Sequence, residues 1–347
     1  MKVVIDDKIP YIAEMAKKLF DETVFLPGAE FGKSSEVKDA DALIVRTRTL
    51  CDRTLLEGSC VKFIATATIG FDHINVGDLE ALGIKWTNCP GCNAASVGQY
   101  VRNCLALCSM FDGKAMSDYT VGIVGYGHVG REVYKALRSA GCKLLVNDPP
   151  LADQGGAEVE LVDLGVLAEE CDVVTFHTPL IKDGAHPSYH LAGSDFFEQL
   201  KHKSIIINAA RGGVVDEHAM MRAYAKGLIG RMIVDTWENE PHIDLTLLNS
   251  ATIATPHIAG YSADGKSNAT RMSLKAVCEF FDIALDEKEF LSLTSAPSLP
   301  LDMVSTGNEM VDWLRLYNPL DDTLRLKGRP DAFEWLRGNY PLRRESF

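Results

Sequence analysis

Arg211, Glu240 and His257 supply a guanidinium, a carboxylate and an imidazole, and each follows its own short apolar run: Ile205–Asn208, Met232–Val234 and Thr252–Ala254. A hydroxyl is oxidised only if its proton has somewhere to go, and an imidazole with an ordinary pKa near ~6.5 accepts it at neutral pH. An acid on the far ring nitrogen would fix the tautomer and stabilise the imidazolium that forms, which is the part Glu240 suits. Arg211 offers a planar fork for a carboxylate, and its charge polarises the carbon–oxygen bond that changes order. The set reads as machinery for oxidising a 2-hydroxy acid. Singly, each residue would be an ordinary solvated side chain. Position carries the reading, because ligands of open parallel sheets bind outside the carboxyl ends of the strands. Gly212 and Gly213 are expected to let the chain turn sharply past Arg211.

A second motif implies the oxidant. Gly125, Gly127 and Gly130 follow the apolar run Val121–Val124 and open a helix whose inner face is Val129, Val133, Ala136, Leu137 and Ala140. In such a strand–turn–helix unit the first glycine permits the tight turn and the second lets backbone approach a pyrophosphate. The third lets the helix pack on the strand, with the helix N-terminus facing the anion. The next apolar run, Lys143–Val146, leads to Asp148, eighteen residues past Gly130, where a carboxylate would bond ribose hydroxyls. Pro149 and Pro150 come next, not an Arg or Lys that would neutralise a 2′-phosphate, so NAD is expected rather than NADP.

These residues need rigid elements to hold them. Short apolar runs alternate with amphipathic windows for most of the chain, the pattern of parallel sheets covered by helices, so the fold class is α/β. Residues 1–93 offer strands at Lys2–Asp6, Thr23–Leu26, Ala42–Val45, Val61–Ala65 and Ile84–Thr87, enough for a smaller, flavodoxin-like domain that 262–286 would rejoin. After the turn at Pro90 and Gly91, Val97, Val101, Cys104, Leu105 and Cys108 share one face of a long linking helix. Strands at Thr120–Val124, Lys143–Val146 and Val173–Phe176, with the three runs named first, would build a Rossmann-type doubly wound parallel sheet over 94–261. Prolines including Pro297, Pro319 and Pro330 then punctuate a short C-terminal unit, 287–347, with helical windows at Glu309–Tyr317 and Asp331–Tyr340. About sixty residues bury little surface alone, so Trp313 and Trp335 are expected to dock elsewhere, with a homodimer partner the leading candidate.

The glycine motif with Asp148, the run Asn208–Asp216, the run Asp235–Pro241 and the run Thr255–Gly260 resemble the D-isomer-specific 2-hydroxyacid dehydrogenase family. The likeness extends over nearly the whole chain, through Val45–Thr47, Thr66–His73, Pro90–Ala94, Thr175–Gly184 and Tyr261. It implies that Arg211 and Glu240 are active-site residues and that His257 is the acid/base. It further implies that Asp148, Thr178, Asp235 and Gly260 touch NAD, that Thr47, Thr68 and Tyr261 touch substrate, and that the C-terminal unit dimerises. The substrate expected is a small phosphorylated 2-hydroxy acid, and Arg46, beside Thr47, is a candidate for its phosphate because a charge-assisted fork suits that dianion. A salt bridge within the small domain is the plainer reading of Arg46. Two rivals stand: a dehydrogenase for another 2-hydroxy acid such as 3-phosphoglycerate, and a non-catalytic NAD-sensing protein of the same fold.

The 347 residues include 35 Lys and Arg against 48 Asp and Glu, a net charge of −13 that, without any basic stripe, argues against nucleic acid. No apolar run approaches the ~18 residues needed to cross a bilayer, so no membrane is expected. The opening MKVVIDD reads as a strand, and a cytoplasmic location is expected. Nine scattered cysteines suit reduced thiols. Cys89 and Cys92 with Cys104 and Cys108 imitate zinc spacing, but the second pair lies on an apolar helical face and reads as core, so no metal is expected.

Overall fold

The first five strands of the computed structural model, which describes residues 1–200, 203–298 and 305–345, are β1 (Lys2–Asp6), β2 (Glu22–Leu26), β3 (Ala42–Val45), β4 (Phe63–Thr66) and β5 (Lys85–Thr87). They pair in parallel in the order β2-β1-β3-β4-β5. Val3, Ile5, Ile44 and Ala65 meet Leu274 and Val277 of the helix Ala263–Phe280 on one face, while Val4, Leu43, Val45 and Ile64 meet Phe31, Leu56 and Leu79 on the other. Burial on both faces is why these strands read as unbroken apolar runs and not as alternations. Strand order reverses between β1 and β3, which makes their carboxyl ends the topological switch point.

The second sheet comprises β6 (Thr120–Val124), β7 (Lys143–Asn147), β8 (Val173–Phe176), β9 (Ser204–Asn208), β10 (Ile229–Val234) and β11 (Ile253–Ala254), again all parallel, in the order β11-β10-β9-β8-β6-β7. Leu161 adds a single parallel bridge to Val146 of β7. A third strand reduced to one bridge completes the 3-2-1-4-5-6 order of a Rossmann sheet. The helix Ala94–Asp112 lies so close to the helix His128–Ser139 that a Cβ on Gly98 would come within 2.9 Å of the Glu132 carbonyl oxygen. Cys104 and Cys108 are buried in this core.

By contacts the chain divides into two units, Met1–Asn93 with Ser262–Leu299 and Ala94–Tyr261 with Pro300–Phe347. The single C-terminal unit expected over 287–347 is therefore not one body. Phe290 enters the core of the first unit, whereas Tyr317, Leu326 and Phe333 enter cores of the second. Residues 299–304 and 346–347 lie outside the described structure. The physical reason is the one that made the segment doubtful as a free-standing domain: too few residues to enclose their own apolar surface. Pro319, expected to act as a break, instead begins the helix Pro319–Gly328 behind the N-cap Asn318, a position where the missing N–H costs nothing. Thr323 of that helix accepts from Ala254 N–H at 3.1 Å and so covers the edge strand β11. Trp313 is covered by the Arg102 guanidinium, 4.4 Å from its ring centroid, while Trp335 remains 57% exposed.

Candidate active site

β9, β10 and β11 are neighbours in one parallel sheet, so the segments that follow them emerge at the same edge. There His257 Nδ1 lies 2.8 Å from Glu240 Oε2 and 3.1 Å from Oε1. A carboxylate can only accept, so Nδ1 carries the hydrogen and Nε2 is left as the basic nitrogen. The Trp237 amide donates to Glu240 Oε1 at 2.9 Å. Burial would push the Glu240 carboxyl up, but the His257 ring, the Trp237 amide and the Arg337 guanidinium outweigh it and hold the group below its ordinary value. His257 itself has φ +56, a left-handed conformation that costs a non-glycine residue roughly 1 kcal/mol. Its amide is held there by the Asp235 carbonyl at 2.9 Å and the Thr255 carbonyl at 3.0 Å.

Asp235, just past β10, is the scaffold of this loop. Its buried carboxylate accepts from Thr255 Oγ1 at 2.6 Å, Ile258 N–H at 2.8 Å and Ala259 N–H at 3.0 Å. Burial pushes the Asp235 carboxyl up, in opposition to His257 and to these three donors. Gly260 continues the same loop, which Tyr261 closes by donating from its amide to the Ile258 carbonyl at 2.9 Å. Arg211 follows β9 at this edge, but its side chain is exposed and Nη1 donates to the adjacent Ala210 carbonyl at 2.7 Å. The structure thus joins His257 to Glu240 and leaves the Arg211 fork turned to solvent.

Around the glycine motif, Gly125 has φ +91, and a Cβ on Gly130 would stand 1.9 Å from the Gly125 carbonyl oxygen, while beside Gly127 there is open space. Asp148 accepts from Tyr126 N–H at 2.7 Å and from Leu151 N–H at 2.9 Å, so one carboxylate ties the end of β7 to the glycine turn. Thr178 lies against Gly125, and its Oγ1 is buried without a hydrogen-bond partner. His177, one residue before, bonds Thr175 Oγ1 at 2.8 Å through Nε2, and burial lowers its pKa to about 3, so it is a neutral structural ring.

In the first unit, Arg46 follows β3 and donates through Nε to Asp6 Oδ1, at the end of β1, at 3.2 Å. This ion pair sits at the switch point, and Asp6 Oδ2 is buried without a partner. Thr47 is exposed in the turn after β3. After β4, Thr68 Oγ1 lies 2.7 Å from Thr66 Oγ1 and donates to the Gly70 carbonyl at 2.8 Å, and Thr66 in turn meets His73 Nε2 at 2.8 Å. Burial lowers the pKa of His73, despite the nearby Asp72.

The NAD-binding domain model of the D-isomer specific 2-hydroxyacid dehydrogenases matches residues 98–259. The erythronate-4-phosphate dehydrogenase of Bacteroides thetaiotaomicron is 48% identical over 99% of this chain and 97% of its own length, and that of Bacteroides fragilis is 47% identical with the same coverage. The chain belongs to this family. Among solved structures, D-2-hydroxyisocaproate dehydrogenase superposes with a TM-score of 0.68 at 22% identity, covering 81% of this chain and 97% of that one, a likeness of fold. The protein is an NAD-dependent dehydrogenase of α/β, Rossmann-like architecture. NAD suits the residues present: the open side of Gly127 leaves room for a pyrophosphate, and the Thr178 hydroxyl, buried against Gly125, has no partner among the described residues. Among the described residues, no helix is long and apolar enough to cross a membrane.

Two residues at these sites carry no motif: Asp6, which pairs with Arg46, and Arg337, whose Nη1 is 3.8 Å from Glu240 Oε2. The first reads as an ordinary strand residue. The second lies in the C-terminal segment, outside every motif, and only packing reveals it.

Proposed function

We propose that the chain oxidises 4-phospho-D-erythronate at C2 to 2-oxo-3-hydroxy-4-phosphobutanoate with NAD, a step in the synthesis of vitamin B6. The similarity to erythronate-4-phosphate dehydrogenases over 99% of the chain supports the substrate, and the 2.8 Å contact between His257 and Glu240 carries the chemistry. NAD, when bound, supplies the acceptor for the C2 hydride. His257 Nε2 takes the hydroxyl proton, and Glu240 steadies the imidazolium that results. Arg211, exposed in the free chain, turns its fork onto the substrate carboxylate and polarises the forming carbonyl. Asp148, Thr178, Asp235 and Gly260, with Gly125, Gly127 and Gly130, hold the cofactor. Arg46, Thr47, Thr68 and Tyr261 hold the substrate, with Arg46 sharing its charge between Asp6 and the phosphate.

The active form in this reading is a cytoplasmic homodimer. Val311, Leu324, Trp335 and Leu342 are exposed apolar side chains on the C-terminal segment, which a second copy would cover. Sedimentation at micromolar concentration should give twice the mass of one chain, and a monomer would refute the assembly.

The direct test is His257→Ala, which should leave NAD binding nearly intact while turnover falls more than ~100-fold. Near-normal turnover would remove His257 from its role. Assay of 4-phospho-D-erythronate beside 3-phosphoglycerate decides the substrate, and failure to form NADH with either would favour a sensing protein.

A further inference from the structure

We infer that Arg337 is a positioning residue that governs, through Glu240, how readily His257 takes up a proton. The inference rests on the proposed acid/base role of His257. Arg337 belongs to the helix Phe333–Gly338, some eighty residues beyond the family motifs. Its Nη1 stands 3.8 Å from Glu240 Oε2, the same oxygen that His257 Nδ1 approaches at 2.8 Å. One carboxylate therefore lies between a permanent cation and a ring whose charge comes and goes.

The guanidinium is placed for charge more than for hydrogen bonding. Its Nε is buried without a partner, an unfavourable arrangement unless something else holds the group. The holding partners are Tyr261, which bonds the guanidinium, and Glu240, with Glu334 adding a contact at 3.8 Å on the outer side. Other charged groups facing the pair are Asp235, which acts on His257 from the end of β10, and Glu217, which feels Glu240 across the 237–240 turn together with Glu238 and Asp244. Glu238 is in turn met by His190 Nε2 at 3.0 Å and Asp244 feels His218, while Arg337 is a permanent cation beside Glu240 itself.

The consequence follows from sharing. An arginine stays charged at every accessible pH, so part of the Glu240 field is always engaged by it and less remains to stabilise an imidazolium at His257. Removing that cation would leave Glu240 wholly to the ring and favour the imidazolium. Glu334 works the other way, because it draws Arg337 outward.

The test is the pH dependence of kcat/KM for the full chain, measured in both directions. Arg337→Gln should move the acidic limb of alcohol oxidation upward by about 0.5–1 pH unit and move the basic limb of 2-oxo acid reduction upward by the same amount. At a pH on those limbs, oxidation then falls about threefold to tenfold while reduction rises. Arg337→Lys should restore most of the original profile, and Glu334→Gln, an exposed change that the fold tolerates, should shift both limbs slightly downward. Coincident limbs in Arg337→Gln, or a parallel loss in both directions at all pH values, would overturn the inference. If Arg337→Gln does not fold, an unmoved or upward-moved profile in Glu334→Gln overturns it instead. Titration of the His257 ring by NMR in the free protein reads the same shifts without substrate, so an absence of turnover would count against the proposed function and leave this inference to be judged on the ring.

Discussion

A Cβ atom on Gly212 would stand 1.9 Å from the carbonyl oxygen of Trp237. The backbone after Arg211 therefore touches the backbone that leads to Glu240, and only a residue without a side chain permits it. Gly212→Ala must push the two segments apart. It should cost more than about 2 kcal/mol of stability and lower kcat, because both Arg211 and Glu240 hang from the displaced chain. Chemical denaturation and steady-state kinetics of the variant check this; wild-type values in both would show that the contact is slack.

Glu217 supplies a pH prediction. It is almost fully buried, and its carboxylate accepts from Glu238 N–H at 2.7 Å. Burial raises its pKa to about 7, helped by Glu238, Asp244 and Glu240. The folded chain therefore holds a proton that the unfolded chain has already lost between pH ~4.5 and ~7. Through that window this group makes stability fall as pH rises, and above it the penalty is complete. Glu217→Gln keeps an acceptor for Glu238 and removes the charge, so the variant should be more stable than wild type at pH 8, by up to ~2–3 kcal/mol, with the difference shrinking toward pH 5. Urea midpoints at the two pH values decide it.

Glu240 has the opposite sign. Its folded pKa is held down, so its ionised form contributes stability that is present above the ordinary carboxylate value and lost as pH falls through the lower folded one. Glu240→Gln should forfeit that contribution at neutral pH and converge with wild type in strong acid. Turnover should fall by about 10–100-fold, since a neutral amide stabilises the imidazolium poorly. A variant with unchanged turnover would show that the ring needs no charged partner.

The sheets were legible because both bury their two faces, which leaves each strand as an apolar run bounded by polar residues. β1, β3, β6 and β8 fall at Lys2–Asp6, Ala42–Val45, Thr120–Val124 and Val173–Phe176, where that pattern places them. The dyad was legible for a related reason: two residues that follow adjacent parallel strands share an edge. What the pattern could not carry was orientation. Gly212 provides the expected turn, closed by Val214 N–H donating to the Arg211 carbonyl at 3.2 Å, but it also makes a close approach to Trp237 that nothing in a dipeptide reports. Arg337 and Asp6 were missed because their partners, Glu240 and Arg46, are distant in sequence. The C-terminal segment misled because a proline that ends one helix looks the same as a proline that starts the next, and Pro319 does the second.

Thr178 offers a way to separate cofactor binding from folding. Its Oγ1 is buried with no partner, so in the free chain the hydroxyl is a cost, and replacing it with a methyl of similar shape should leave stability equal to or above that of wild type. If the hydroxyl is completed by NAD, the same replacement takes a hydrogen bond from the complex alone. Thr178→Val should then weaken NAD binding by about 5–10-fold, as one neutral hydrogen bond of ~1 kcal/mol would, while kcat at saturating NAD stays near wild type. Titration calorimetry with NAD and a thermal melt without it give the two numbers independently. A variant that melts lower and binds NAD unchanged would mean that the hydroxyl serves the fold, and the cradle beside Gly125 would lose its clearest contact with the cofactor.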